Sequence, residues 1–310
     1  MKISVITINY NDKCGLTNTI KSVLNQDSNH YEYIIIDGAS NDGSVKIIEE
    51  HSENIDYWIS EKDTGIYNAM NKGIARATGD YCIFMNSGDV FYDNKVIENV
   101  LPYLDGTAVV NGDTSYPSGR YDSSPDDVSL SFFMNSTIIH QSTFIRTDLL
   151  KHNNYDERYR IVSDWKFWVE ELIVKGVSYK NIHIPISIFD ENGIGSTNIE
   201  LHDNEMLCVL EELFPKKVLQ EYYRLLNGST WEDKLYKQIQ HSRFHKLMYS
   251  INVAVIKLLT LFKPSSKWTK KYPLFYVGKM DNNDVLTDIY GTRTILNKIK
   301  NETYCNNNQL

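Results

Sequence analysis

The stretch Ile3-Ser4-Val5-Ile6-Thr7-Ile8, running straight into Asn9-Tyr10-Asn11-Asp12, decides the fold. A β-branched apolar run of this length reads as a strand buried on both faces, and the Asn/Asp cluster ends it. Leu16, Ile20, Val23 and Leu24 then recur at helical spacing. Tyr33 to Ile36 repeats the buried-strand pattern and is stopped by Asp37-Gly38-Ala39-Ser40-Asn41-Asp42-Gly43. A helix follows with Val45, Ile47 and Ile48 as its apolar positions, and Asp56 to Ile59 forms a short third strand. Ile66, Met70 and Ile74 mark a helix over 66–77, Gly79 ends it, and Tyr81 to Met85 is a fourth strand. Strands alternating with helices predict an α/β fold, a mostly parallel sheet with helices on both faces. Ligands of such sheets bind outside the carboxyl ends of the strands. Three polar clusters fall at such ends: Asn9-Tyr10-Asn11, Asp37-Gly38 and Asn86-Ser87-Gly88-Asp89.

Beyond Asp93 the pattern loosens. Ala108 to Asn111 and Ile138 to Ile145 read as strands, 114–127 as a loop or hairpin, and Asp164 to Lys175 as a helix. Residues 203–226 and 231–262 read as helical, and the Asn-rich stretch 301–310 as a disordered tail.

With 42% hydrophobic and 23% charged residues, the 310-residue chain suits a globular protein with a sizeable core. Its four cysteines are far apart and form no C-x-x-C pair, which removes zinc and dithiol chemistry from consideration. The start of the chain shows no secretory leader, and no uncharged apolar stretch reaches the roughly 18–20 residues of a spanning helix. A cytoplasmic protein is expected. Residues 1–233 hold 36 acidic against 19 basic side chains, whereas 234–280 hold ten basic and no acidic ones. An acidic body argues against nucleic-acid binding. In the basic segment 243–271, Arg243, Lys246, Ser250, Lys257 and Thr260 form a polar stripe opposite apolar residues. That stripe suits a helix packed on the body of the protein or in a homodimer contact, or else the interface of an anionic membrane, at the inner face of the cell membrane.

Asp37 at a strand end can accept hydrogen bonds from a base N–H or ribose hydroxyl, or simply close an Asx turn. Asp89 suits a hard divalent cation that draws its other ligands from water and phosphate, or a turn. The stretch from Glu61 to Asp80, Glu-Lys-Asp-Thr-Gly-Ile-Tyr-Asn-Ala-Met-Asn-Lys-Gly-Ile-Ala-Arg-Ala-Thr-Gly-Asp, is more specific. Together with Val5 to Asn11, Ser22 to Gln26, Asp37 to Ser44 and Asn86 to Asp89, in that order, it resembles family 2 of the inverting glycosyltransferases, in the branch that builds bacterial polysaccharide.

The resemblance covers about residues 1–200 and implies a GT-A fold, a Rossmann-like mixed sheet, with a nucleotide-sugar half over 1–112 and an acceptor half over 113–200. Residues 201–300 would be a helical C-terminal region. Thr7, Asn9, Tyr10, Asp37, Asp63 and Asn71 would face the nucleotide. Asp89 would hold Mg²⁺ or Mn²⁺, although the family usually carries two or more acids where this chain has one. Asn86, Ser87, His140 and Gln141 would lie near the donor and acceptor sugars. Asp164, in Ser163-Asp164-Trp165-Lys166-Phe167-Trp168, would be the catalytic base, or else it caps its helix. The implied partners are a nucleotide-sugar donor, UDP-linked as the commonest case, and a glycan or polyprenyl-diphosphate-linked acceptor. A non-catalytic nucleotide-sugar binder of the same fold is the competing class. A sugar-nucleotide pyrophosphorylase would need a Gly-rich, basic phosphate loop that Tyr10 to Gly15 does not supply.

Overall fold

The computed structural model describes residues 1–190 and 198–226. The expected 231–262 helix, the basic 243–271 segment and the 301–310 tail lie outside the described residues. Met1–Val209 belongs to one compact unit. A second unit begins at Leu210, so the boundary falls within the Ile199–Leu213 helix.

Among the described residues the first unit is built on a nine-stranded mixed sheet. Its strands are β1 (Ile3–Asn9), β2 (Tyr31–Asp37), β3 (Tyr57–Ser60), β4 (Tyr81–Phe84), β5 (Val90–Phe91), β6 (Val109–Ser115), β7 (Tyr121–Asp122), β8 (Thr143–Arg146) and β9 (Tyr179–Ile188). The order is β3-β2-β1-β4-β8-β6-β9-β5, with β7 paired to β6. The first four strands are parallel, as the alternating pattern required. Antiparallel β8 joins this half to the rest of the sheet.

All seven residues of β1 are buried, which explains why its sequence lacks alternation. Ile3, Val5, Tyr33 and Ile35 share one cluster with Leu16, Ile20 and Val23 of the Lys13–Leu24 helix. Each such side chain contributes roughly 1.5–3 kcal/mol through burial. The Ile66–Arg76 helix buries Tyr67, Met70, Gly73 and Ile74, while Ile66 at its start stays exposed. Gly73 sets its distance from the sheet, because a Cβ there would stand 2.5 Å from Ile6 Cγ2.

Three expectations change. The strand expected from Ile138 begins only at Thr143, because His140–Ser142 forms a 3-10 turn whose polar side chains reach into the protein. The helix expected from 203 to 226 is two, Ile199–Leu213 and Lys216–Leu226, interrupted at Pro215, which has no N–H to continue the first. Strand β9 adds to the expected elements, with Ile182, Ile184, Ile186 and Ile188 giving it a period of two.

Candidate active site

Strands β1, β2 and β3 end level with one another, Asn9 beside Asp37 and Asp37 beside Ser60. The Asp37 carboxylate is fully buried there. It accepts from Asn9 Nδ2 at 2.7 Å, Ser40 N at 2.9 Å, Ser40 Oγ at 2.6 Å and Ser60 Oγ at 2.6 Å. Thr7 is buried as well, its hydroxyl donating to Met85 O at 2.7 Å. Thr7, Asn9 and Asp37 therefore organise the edge from behind.

Tyr10 and Asp63 stand in front. Tyr10 is 68% exposed, and Asp63 is half-buried with Oδ1 accepting from Gly65 N at 3.0 Å. They meet over Gly38, where a Cβ would lie 2.5 Å from Asp63 Oδ2 and 3.1 Å from the Tyr10 ring. Asn71 is placed elsewhere. Its Nδ2 donates to Tyr155 O at 2.8 Å and Glu157 Oε1 at 2.9 Å, and its Oδ1 accepts from Tyr155 N at 3.0 Å. Both ends of its amide are thus engaged in tying its helix to the 155–157 loop.

The Asn86–Asp89 turn follows β4. Ser87 Oγ donates to Asp12 Oδ2 at 2.8 Å, and Asp12 also caps the Lys13–Leu24 helix through Gly15 N at 3.0 Å. Asp89 is 3% exposed. Its Oδ2 accepts from Gln141 Nε2 at 2.9 Å and its Oδ1 from Asp190 N at 2.9 Å. Burial pushes its carboxyl up to about 6, against the hydrogen bonds that favour the ionised form. Asp190, just past β9, brings a second carboxylate to this turn: its Oδ2 lies 2.9 Å from where a Gly88 Cβ would stand. Its place was hidden because the turn and Asp190 are about a hundred residues apart.

Residues 140 and 141 join this turn to Asp164. His140 Nε2 lies 3.0 Å from Asn86 Nδ2, and His140 Nδ1 lies 3.2 Å from Asp164 Oδ2. With Asn86 Nδ2 as donor, Nε2 accepts and Nδ1 carries the proton offered to Asp164. Tyr67, inside the most specific sequence stretch yet not singled out by it, donates to Asp164 Oδ1 at 2.7 Å and lies 2.6 Å from Ile161 O. The Asp164 side chain keeps 18% of its surface exposed. Burial pushes its carboxyl up. The hydrogen bond from His140, its attraction when the ring is protonated, and smaller contributions from the Tyr67 hydroxyl and the Trp165 N–H outweigh burial and hold it below its usual value. Asp164 is thus ionised at neutral pH and still reachable. A cavity of about 240 Å³ lined by Ser163, Lys166 and Phe167 lies against its helix, but Asp37, Asp63 and Asp89 do not line it.

A parallel 3-2-1-4 sheet continued by antiparallel strands is the architecture of the GT-A fold. The Glycosyl transferase family 2 profile matches residues 4–157. The uncharacterized glycosyltransferase Rv1514c of Mycobacterium tuberculosis is 34% identical over 203 residues, 63% of this chain and 77% of that protein. Among solved structures, S. aureus TarS 1–349 superposes with a TM-score of 0.54 at 19% identity, over 68% of this chain and 65% of that one. The mannosyltransferase PcManGT from Pyrobaculum calidifontis, solved with GDP-Man and Mn²⁺, has a TM-score of 0.56 at 14% identity over 97% of this chain and 88% of that one. The chain belongs to glycosyltransferase family 2. No helix among the described residues is long and apolar enough to cross a membrane.

Proposed function

We propose that this protein is an inverting glycosyltransferase of bacterial polysaccharide assembly that moves a hexosyl or N-acetylhexosaminyl unit from a nucleotide-sugar, a UDP-sugar in the first instance, to a hydroxyl of a glycan or polyprenyl-diphosphate-linked acceptor. One observation carries this reading. A single turn, His140-Gln141, holds an ionised, partly exposed carboxylate at Asp164 and a buried one at Asp89.

An acceptor hydroxyl is far too weakly acidic to ionise at neutral pH, so a positioned carboxylate takes its proton as the new bond forms. Asp164 is that base. The acceptor oxygen bonds to the anomeric carbon on the face opposite the leaving group, the bond to the nucleoside diphosphate breaks, and the proton ends on Asp164. Tyr10 and Asp63 receive the nucleoside. Asn9 and Asp37 hold the strand ends that present it.

The groups at this turn suit Mg²⁺ or Mn²⁺: the carboxylates of Asp89 and Asp190, and, three residues before Asp89, an Asn86 Oδ1 that is buried without a hydrogen-bond partner. Among the described residues no three acidic, His or Cys groups form a metal cluster, so such an ion draws further ligands from diphosphate and water. When bound it supplies Lewis-acid stabilisation of the leaving diphosphate.

TarS has been solved with UDP-GlcNAc and PcManGT with GDP-Man and Mn²⁺, which supports a nucleotide-sugar donor. The test is incubation with UDP-, GDP- and dTDP-sugars, read by mass spectrometry. Slow cation-dependent release of one nucleoside diphosphate is expected, whereas binding without any turnover by the wild type would indicate a non-catalytic nucleotide-sugar binder.

A further inference from the structure

Asp164 follows a turn, 160–162, whose three backbone N–H groups point at one carboxylate. Glu205 Oε1 accepts from Arg160 N at 2.8 Å, and Glu205 Oε2 accepts from Ile161 N at 2.9 Å and Val162 N at 3.2 Å. Glu205 is 4% exposed and comes from the Ile199–Leu213 helix, about forty residues further along the chain. Successive N–H groups converging this way form an anion-binding nest, and here the anion is built in. The same turn is gripped from the other side by Tyr67, whose hydroxyl reaches both Ile161 O and Asp164 Oδ1.

We infer that Glu205 is a positioning residue for sugar transfer: its carboxylate fills the 160–162 nest and thereby fixes the turn that aims Asp164. This rests on the reading of Asp164 as the base. Three converging N–H groups, that of Val162 buried and those of Arg160 and Ile161 partly so, would without an acceptor pull the turn toward water or another partner. The turn immediately precedes the Ser163–Trp168 helix, whose first bond runs from Lys166 N to Val162 O at 2.8 Å. Movement at 160–162 therefore carries Asp164 with it. A misplacement of about 1 Å lowers a rate by up to roughly a hundred-fold. Donor binding is set instead by Tyr10, Asp63 and Asp89, none of which touches Glu205. The catalytic unit on this account includes residues 199–209, so transfer depends on a segment beyond the nucleotide-binding strands.

The test uses the full chain with Glu205→Ala and Glu205→Gln, and the donor that the wild type turns over in the panel of UDP-, GDP- and dTDP-sugars. Truncation to alanine removes two carbons and two oxygens, the atoms of acetate. Glu205→Ala is expected to lose at least about ten-fold in turnover while the donor Kd stays within about two-fold, and added acetate restores part of the rate. Amide exchange at 160–162 is expected to quicken in the variant and slow again with acetate. Glu205→Gln keeps the volume but turns one acceptor oxygen into a donor, and loses turnover while still folded at the assay temperature. If Glu205→Ala does not fold, the glutamine variant decides alone. Wild-type turnover in a folded variant overturns the inference, as does a lost rate matched by an equal loss of donor affinity. Asp164→Asn, run beside them, separates the two claims: wild-type turnover by that variant removes the base itself, whatever Glu205 does.

Discussion

Replacing Gly38 by alanine tests the proposed nucleotide edge separately from the rest of the fold. Gly38 does not adopt a left-handed backbone, so alanine meets no conformational barrier and narrows the unfolded ensemble by roughly 0.4–1 kcal/mol. The new methyl lies 2.5 Å from Asp63 Oδ2 and 3.1 Å from Tyr10 Cδ2, against 3.4 Å for ordinary contact. Asp63 must therefore retreat by about 0.9 Å and the Tyr10 ring by about 0.3 Å. Both obstacles are the ends of side chains at a solvent edge, so they yield cheaply and the melting temperature moves by no more than about 2 °C. Nucleotide binding has no such latitude. A charged hydrogen bond is worth about 1.5–3 kcal/mol, which becomes roughly a 10- to 150-fold loss of affinity. Calorimetric titration of UDP and GDP into wild type and Gly38→Ala, each with Mn²⁺ present, reads this directly. Equal affinities at equal stability would remove Asp63 and Tyr10 from the nucleotide site.

Three further outcomes follow from the same geometry. Asp89 has its pKa raised to about 6 by burial, so its ionised form burdens the fold above pH 6, and protonation relieves that burden as the pH falls toward 4. With chelator present, Asp89→Asn is accordingly more stable than wild type at pH 8, by at most about 3 kcal/mol, and the gain fades below pH 6; a destabilised variant at pH 8 would contradict this. Below pH 6 protons also compete with the cation, so Mn²⁺ binding with UDP, followed by electron paramagnetic resonance, weakens there. His140→Phe removes the main group that holds the Asp164 carboxyl low, so the acid limb of the pH–rate profile moves to higher pH. An unmoved limb would show that His140 does not tune the base. Asn71→Ala leaves Tyr155 N without its acceptor and costs about 1–3 kcal/mol in urea unfolding, yet leaves UDP affinity unchanged; reduced affinity at intact stability would restore Asn71 to the nucleotide edge.

The sequence made the parallel half legible because its signals are local. Ile3 to Ile8 and Tyr33 to Ile36 are apolar runs cut by Asn and Asp, and such runs are buried strands. Their polar terminators fall at the carboxyl edge of the sheet for the same reason. The direction of each side chain was less visible. Thr7, Asn9 and Asp37 sit at that edge but turn inward, since a strand buried on both faces gives its polar residues hydrogen-bond partners inside the protein. Contacts distant in sequence were out of reach. Nothing near Asp89 points to Asp190, and nothing near Asp164 points to Glu205, whose partners are backbone N–H groups that carry no residue identity. His140-Gln141 lay between these cases. The family pattern marked the pair, but the run from Ile138 to Ile145 looked like uninterrupted strand, and the tight turn that lets neighbouring residues hold both acids appears only in the structure.

The central claim is that Asp164 deprotonates the attacking hydroxyl at a site that binds an activated sugar through other groups. Wild type and Asp164→Asn, each incubated with Mn²⁺ and the sugar-nucleotide panel, test it by mass spectrometry of the released nucleoside diphosphate alongside donor Kd. The account predicts one donor slowly consumed by the wild type, and the same donor bound with similar affinity but left intact by the variant. Equal turnover by the two proteins would contradict it.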